Sequence, residues 1–120
     1  MADRVLFISW TGVVTGREER ALEAFNENVG LLGRMQQEGR IESFDITLMS
    51  PNAGIDGFMQ VHGTMQQISA LREDAEFQRA TANAQLCVEG ITHVDGVTND
   101  AIAEQMGLYQ EAISRVPQMA

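Results

Sequence analysis

Ile41–Gly63 reads IESFDITLMSPNAGIDGFMQVHG, and its two ends carry the alternation on which the fold turns. From Ile41 to Met49, Phe44, Ile46 and Leu48 fall on one side of an extended segment, and Asp45, Thr47 and Met49 on the other, as in a half-buried strand. Ser50–Gly57 is dense in turn formers and predicts a loop. Phe58–Gly63 alternates again, Met59 and Val61 against Phe58, Gln60 and His62. Pairing the two strands as a hairpin with Met49 opposite Phe58 sets Thr47 against Gln60 and Asp45 against His62. On the reverse face Leu48 then meets Met59 and Ile46 meets Val61, so apolar residues meet apolar and polar meet polar. A slip of two residues preserves these faces, so the faces are better specified than the individual pairs.

Working outward, Arg4–Thr11 is β-rich and apolar on both sides, which predicts a central strand. Thr15-Gly16-Arg17-Glu18 has the form of a capping box opening a helix. Leu22, Phe25, Val29 and Leu32 recur at helical spacing along that helix, and Gly39 predicts its end near Glu38. On the far side of the hairpin, Thr64-Met65-Gln66-Gln67 is a second capping box, followed by Ile68 and Leu71. Asp74 predicts a restart of helix, through Phe77, Ala80 and Ala84 to about Val88. A fourth strand is expected over Gly90–Gly96, and a last helix over Asp100–Arg115 with Ile102, Met106, Tyr109 and Ile113 as its stripe.

Strand, helix, strand, strand, helix, strand is the split β-α-β arrangement, so residues 1–120 are read as one α+β, ferredoxin-like βαββαβ domain with an added C-terminal helix. Right-handed crossovers give a four-stranded antiparallel sheet of order 4-1-3-2, both long helices on one face. The other face lies open. With Val94 assigned to the helix side, the open face gathers Asp45, Thr47, Met49, Phe58, Gln60, His62, Ile91, His93 and Asp95. That mixture is too apolar for a wetted surface and too polar for a sealed core. Two such faces closed on one another would make a chamber suited to a small ligand.

Composition narrows the function classes. Of 120 residues 44% are hydrophobic and 21% charged, ordinary for a globular domain. Acidic residues outnumber basic ones 17 to 8, giving a formal charge of −9, which argues against nucleic acid and against an anionic membrane surface as partners. Every basic residue is Arg; the absence of Lys excludes Schiff-base chemistry and the P-loop mechanism. One cysteine, Cys87, cannot form an intrachain disulfide. No leader precedes the first apolar run, Val5–Ile8 is far short of a membrane span, and a cytoplasmic location is expected.

Two stretches resemble the dimeric α+β barrel superfamily, which includes antibiotic-biosynthesis monooxygenase-like, EthD-like and muconolactone-isomerase-like proteins. Thr15–Phe25 is similar to that family's glycine-and-charged opening of the first helix. Phe58–Val88 is similar to its second half, with a strand ending in Gly63-Thr64, then Ile68-Ser69-Ala70-Leu71 and Glu76-Phe77. The resemblance covers roughly Arg4–Asp95 and implies a homodimer, or a larger assembly of dimers, whose sheets close into a barrel, with a ligand cleft inside each subunit. The Asn, Trp and His set of the family's haem-degrading members has no match here, so no cofactor is expected.

The sharpest candidate site is His62 with Asp45, where a carboxylate opposite an imidazole would orient it for general acid–base work; a plain register-fixing hydrogen bond is the bland alternative. Thr47, Met49, Phe58, Gln60, His93, Asp95 and Trp10 are the candidate pocket residues, although parity leaves the face of Trp10 open. His62 and His93 flank the central strand with backbones about 10 Å apart, so sharing one metal ion would demand converging, strained side chains, and no metal motif is present. The expected function is binding of a small organic molecule inside the barrel, with aromatic compounds among the candidates. If turnover occurs it should be cofactor-independent oxidation or isomerisation; the alternative is a non-catalytic metabolite-binding or purely structural oligomer.

Overall fold

A computed structural model describes residues 2–119. Its elements are β1 (Arg4–Trp10), β2 (Gly12–Val13), α1 (Glu18–Gln37), β3 (Ser43–Leu48), β4 (Gly57–Gly63), α2 (Met65–Glu73), α3 (Ala75–Gln85), β5 (Val88–Glu89), β6 (Thr92–Val97) and α4 (Asp100–Ser114). The main sheet has the order β3-β4-β1-β6, every pair antiparallel. This is the expected order, with β1 in the interior between β4 and β6.

Local chemistry explains most of the boundaries. Thr64 closes the expected capping box on α2: its hydroxyl accepts from Gln67 N at 3.1 Å, and Gln67 Oε1 accepts from Thr64 N at 2.8 Å. Asp74 ends α2 and starts α3, its carboxylate accepting from Phe77 N at 2.9 Å. Helix α1 ends in a Schellman arrangement: Gly39, at φ +74°, donates to Gln36 O at 3.1 Å, and Arg40 N donates to Met35 O at 2.8 Å. The start of α1 departs from expectation. Arg17 is its N-cap without a side-chain cap bond, and Glu18 instead reaches back to accept from Gly16 N at 3.0 and 3.1 Å. Thr15 caps nothing because Gly16, at φ +92°, turns the chain before the helix begins.

The core lies between one sheet face and the helices. Leu6, Met59 and Val61 of the sheet pack with Leu31, Leu32 and Met35 of α1, Ile68 and Leu71 of α2, and Phe77 and Ala80 of α3. Each large side chain buried there contributes roughly 1.5–3 kcal/mol relative to exposure. The opposite face carries Val5, Phe7 and Ser9 of β1 and Phe58, Gln60 and His62 of β4, all half-buried, because no element covers them. Phe7 and Phe58 stack there with centroids 5.3 Å apart.

Four further sequence expectations are corrected. The β3–β4 hairpin is slipped by two residues: Thr47 opposes Phe58, Asp45 opposes Gln60 and Ser43 opposes His62. Faces are preserved, as a two-residue slip requires; Met49 falls beyond the strand and donates its N–H to Asp56 O. Second, β6 has the opposite phase to that expected. His93 opposes Ile8 and Asp95 opposes Leu6, so both point to the helix side, while Val94 lies opposite Phe7 on the open face and is 52% exposed. Pairing with β1 dictates this phase, and Phe77 provides the packing surface for the imidazole, its ring centroid 5.6 Å away. Ile91 precedes β6 rather than joining the open face. Third, α3 stops at Gln85, and Val88–Glu89 forms a short ribbon with Gly12–Val13, a pairing too brief to show any alternation. Fourth, the expected stripe of α4 stays exposed along its length, and only Ala101 of that helix is buried.

Candidate ligand site

The alternation of β1 sends Leu6, Ile8 and Trp10 under the helices. Toward the Trp10 end the helices no longer fill the space, because the residues facing inward from α1 and α3 are small: Ala21 and Ala24 on one, Ala84 on the other. A cavity of about 350 Å³ results, at the small end of the roughly 300–1,000 Å³ typical of ligand pockets. Ile8, Trp10 and Met59 form its sheet side, Phe25 packs edge-on to Trp10 at 6.2 Å, and Val13 and Val88 of the short ribbon close one end. Leu22 and Leu48 border it while 62% and 66% exposed, which marks them as its mouth.

Trp10 holds its place because residue 57 has no side chain. A Cβ on Gly57 would lie 2.9 Å from the indole Cζ2 and 2.8 Å from Thr47 O, so the ring crosses β4 only over glycine.

Four polar residues are among those lining this otherwise apolar space: Glu18, Asn28, Thr81 and His93. The Asn28 amide donates to Ala24 O at 2.9 Å and Ala80 O at 3.4 Å, which ties α1 to α3 and leaves its oxygen as an acceptor. Burial, and secondarily the Arg72 guanidinium, holds the His93 imidazole below its ordinary pKa, so the ring is neutral at neutral pH. Its neighbour on the same face, Asp95, accepts from Arg72 Nη1 at 2.7 Å rather than from the imidazole. No hydrogen bond to the His93 ring occurs among the described residues. Glu18 is held below the usual carboxylate range by the backbone N–H groups of Gly16 and of its own residue, and is therefore charged.

The candidate residues divide between the two faces of the sheet. Trp10 and His93 line the cavity. Asp95 shares their face but lies outside the cavity lining, drawn to Arg72. His62 and Asp45 do come together, Nε2 to Oδ2 at 3.1 Å, as a diagonal rather than a directly opposed pair. They lie with Thr47, Phe58 and Gln60 on the open face, separated from the cavity by the thickness of the sheet. Met49 is exposed at the end of that hairpin. Among the described residues no three His, Cys, Asp or Glu side chains gather as a metal site, and no helix is long and apolar enough to cross a membrane.

Asn28, Thr81 and Glu18 were not singled out from the sequence. The signal that could have found them is the run of alanines facing each other across α1 and α3, since small residues at core positions leave room.

No protein-family model matches the chain, and no curated protein matches it in sequence. Solved structures do match. A dimeric ferredoxin-like protein of unknown function from Jannaschia sp. aligns with TM-score 0.61 at 17% identity, covering 78% of this chain and 96% of that one. A candidate antibiotic biosynthesis monooxygenase from Nitrosomonas europaea aligns at 0.58 with 18% identity, over 78% of this chain and 95% of its own. A cofactor-independent oxygenase from Streptomyces nogalater aligns at 0.58 with 11% identity, over 81% and 92%. Identities this low establish architecture alone. The chain has a ferredoxin-like fold, similar to that of dimeric ferredoxin-like proteins and of antibiotic-biosynthesis-monooxygenase-like proteins.

Proposed function

We propose that the chain acts as a homodimer and binds a small, largely apolar hydroxylated molecule in the cavity of each subunit, with His93 accepting the ligand's proton. The observation that carries this reading is a roughly 350 Å³ apolar cavity lined by one neutral imidazole to which none of the described residues is hydrogen-bonded. A neutral ring nitrogen buried beside bound substrate is suited to accept a proton from a phenol or enol. Isomerisation by proton transfer needs no further group. Cofactor-independent oxidation, the activity of the Streptomyces nogalater neighbour, would pass electrons from the deprotonated substrate directly to dioxygen.

The dimer reading is supported by the half-buried apolar residues of the uncovered sheet face, Val5, Phe7 and Phe58, and by the dimeric description of the Jannaschia neighbour. A second copy laid on this face would shelter them. The 3.1 Å bond between His62 and Asp45 favours a second reading, in which that pair is the acid–base group of a chamber between the two sheets.

Calorimetric titration with 2-naphthol and related hydroxyaromatics, together with light scattering on a sizing column, tests the proposal. We expect binding, a dimeric mass, and a monomeric mass for Phe7→Glu. His93→Ala should weaken binding about two- to tenfold, the size of one neutral hydrogen bond, and abolish any turnover. His62→Ala should leave both intact; the reverse pattern selects the second reading. A panel without binding overturns the cavity assignment, and a monomeric wild-type protein overturns the dimer.

A further inference from the structure

We infer that the cavity discriminates by charge, admitting uncharged hydroxyaromatic ligands and rejecting carboxylates, and that Glu18 is a specificity-determining residue at its entrance. This rests on the cavity reading above. Among the sixteen residues lining the cavity there is no Lys or Arg, whereas Glu18 supplies a carboxylate. That carboxylate is tethered to the turn before α1, since Gly16 N–H donates to both of its oxygens, at 3.0 and 3.1 Å. No cation lines the cavity: Arg20, on the first turn of α1, is exposed and outside the lining, and three other arginines are held by partners of their own. Arg17 donates to the Leu86 carbonyl, Arg72 to Asp95 and Arg34 to Glu76. The interior offers Asn28, Thr81 and a neutral His93, none of which carries positive charge.

An ionised ligand entering such a space gives up its hydration without gaining a cationic partner, and does so past a negative group. A neutral phenol of the same shape keeps the His93 contact and suffers neither cost. The chain's formal charge of −9 acts in the same direction from long range. The local and global contributions can be separated, because Glu19 lies on the same first turn of α1 but does not line the cavity.

The test is to measure the Kd of 2-naphthol, 2-naphthamide and 2-naphthoate near neutral pH, where only the last is ionised. The naphthoate is expected to bind at least about tenfold more weakly than the naphthol, with the uncharged amide close to the naphthol. Glu18→Gln should narrow the naphthol-to-naphthoate ratio severalfold, and Glu18→Arg should narrow it further or reverse it. Glu19→Gln, which changes net charge equally, should leave the ratio within about twofold of wild type. Equal binding of naphthol and naphthoate overturns the inference and leaves the cavity assignment standing. Equal effects of Glu18→Gln and Glu19→Gln overturn the role of Glu18. If none of the three ligands binds, the cavity reading fails and this inference falls with it.

Discussion

Asp74→Ala is the most informative test of how the wall of the cavity is held. Asp74 accepts from Phe77 N at 2.9 Å as the N-cap of α3, and from Arg40 Nη2 at 2.7 Å as an ion pair. Helix α3 then supplies Thr81 and Ala84 to the cavity, and Phe77 beneath His93. Loss of an N-cap costs about 1 kcal/mol. The Arg40 side chain is 45% exposed, so the ion pair adds no more than about 0.5 kcal/mol after solvent screening. The sum of about 1.5 kcal/mol corresponds to a fall in Tm of about 6 °C for a domain of this length. Asp74→Asn retains the cap and should cost only the ion-pair share, as should Arg40→Ala. The Phe77 N–H, and secondarily Arg40, hold the Asp74 carboxyl below its ordinary value of 3.8. A depressed carboxyl stabilises the fold fully above its unfolded value and loses that contribution as pH falls through the folded one. The gap between wild type and Asp74→Ala should therefore be complete at neutral pH and shrink below 3.8. Urea unfolding of the four proteins, at neutral pH and at about pH 3, measures both effects. If Asp74→Ala costs no more than Arg40→Ala, the capping argument is wrong, and a gap undiminished in acid refutes the contribution of the carboxylate's charge.

Three further outcomes are expected. His93 is depressed by burial, so the unfolded chain takes up its proton first; stability should decline as pH falls below 6.5 and level off below the folded value. The slope should stay well under the roughly 1.4 kcal/mol per pH unit of one full proton, since the ring is only half-buried, and urea midpoints of His93→Gln should lack it. Gly90→Ala places a Cβ 2.5 Å from Thr11 Oγ1 at φ +66°, and should lower stability by more than about 1 kcal/mol in urea unfolding. A chain ending at Asn99 loses only Ala101 from the buried set, so its unfolding should remain cooperative and its stability fall by about 1 kcal/mol or less.

The architecture was legible because hydrophobic alternation, one capping box and the glycine after α1 act over a few residues and need no knowledge of the tertiary structure. Thr64 with Gln67, Asp74 and Gly39 all do what their chemistry suggested. Long-range pairing was less legible. Nothing within Thr92–Val97 says which side faces the helices; the phase comes from pairing with Leu6 and Ile8 across β1. Hydrophobicity alone favours Val94 inward, but the helix side there borders a cavity, and it is the imidazole of His93 that packs on Phe77. The phase of β6 likewise divides the two histidines, and with them the candidate residues, between the two faces of the sheet. Trp10, ambiguous by parity, is resolved by Gly57, whose missing side chain leaves room for the indole.

That division along β1 also decides which kinds of genetic change the protein tolerates. Phe7 and Ile8 are covalent neighbours, yet one belongs to the bare side of the sheet and the other to the cavity. A point substitution at either position edits one surface and spares the other. Inserting or deleting a single residue upstream in the strand would shift the pleat by half a repeat, sending Phe7 inward and Ile8 outward along with every side chain between the change and the strand's end. Variation among descendants of this chain should accordingly accumulate as exchanges within β1, with length changes confined to the turns on either side of it.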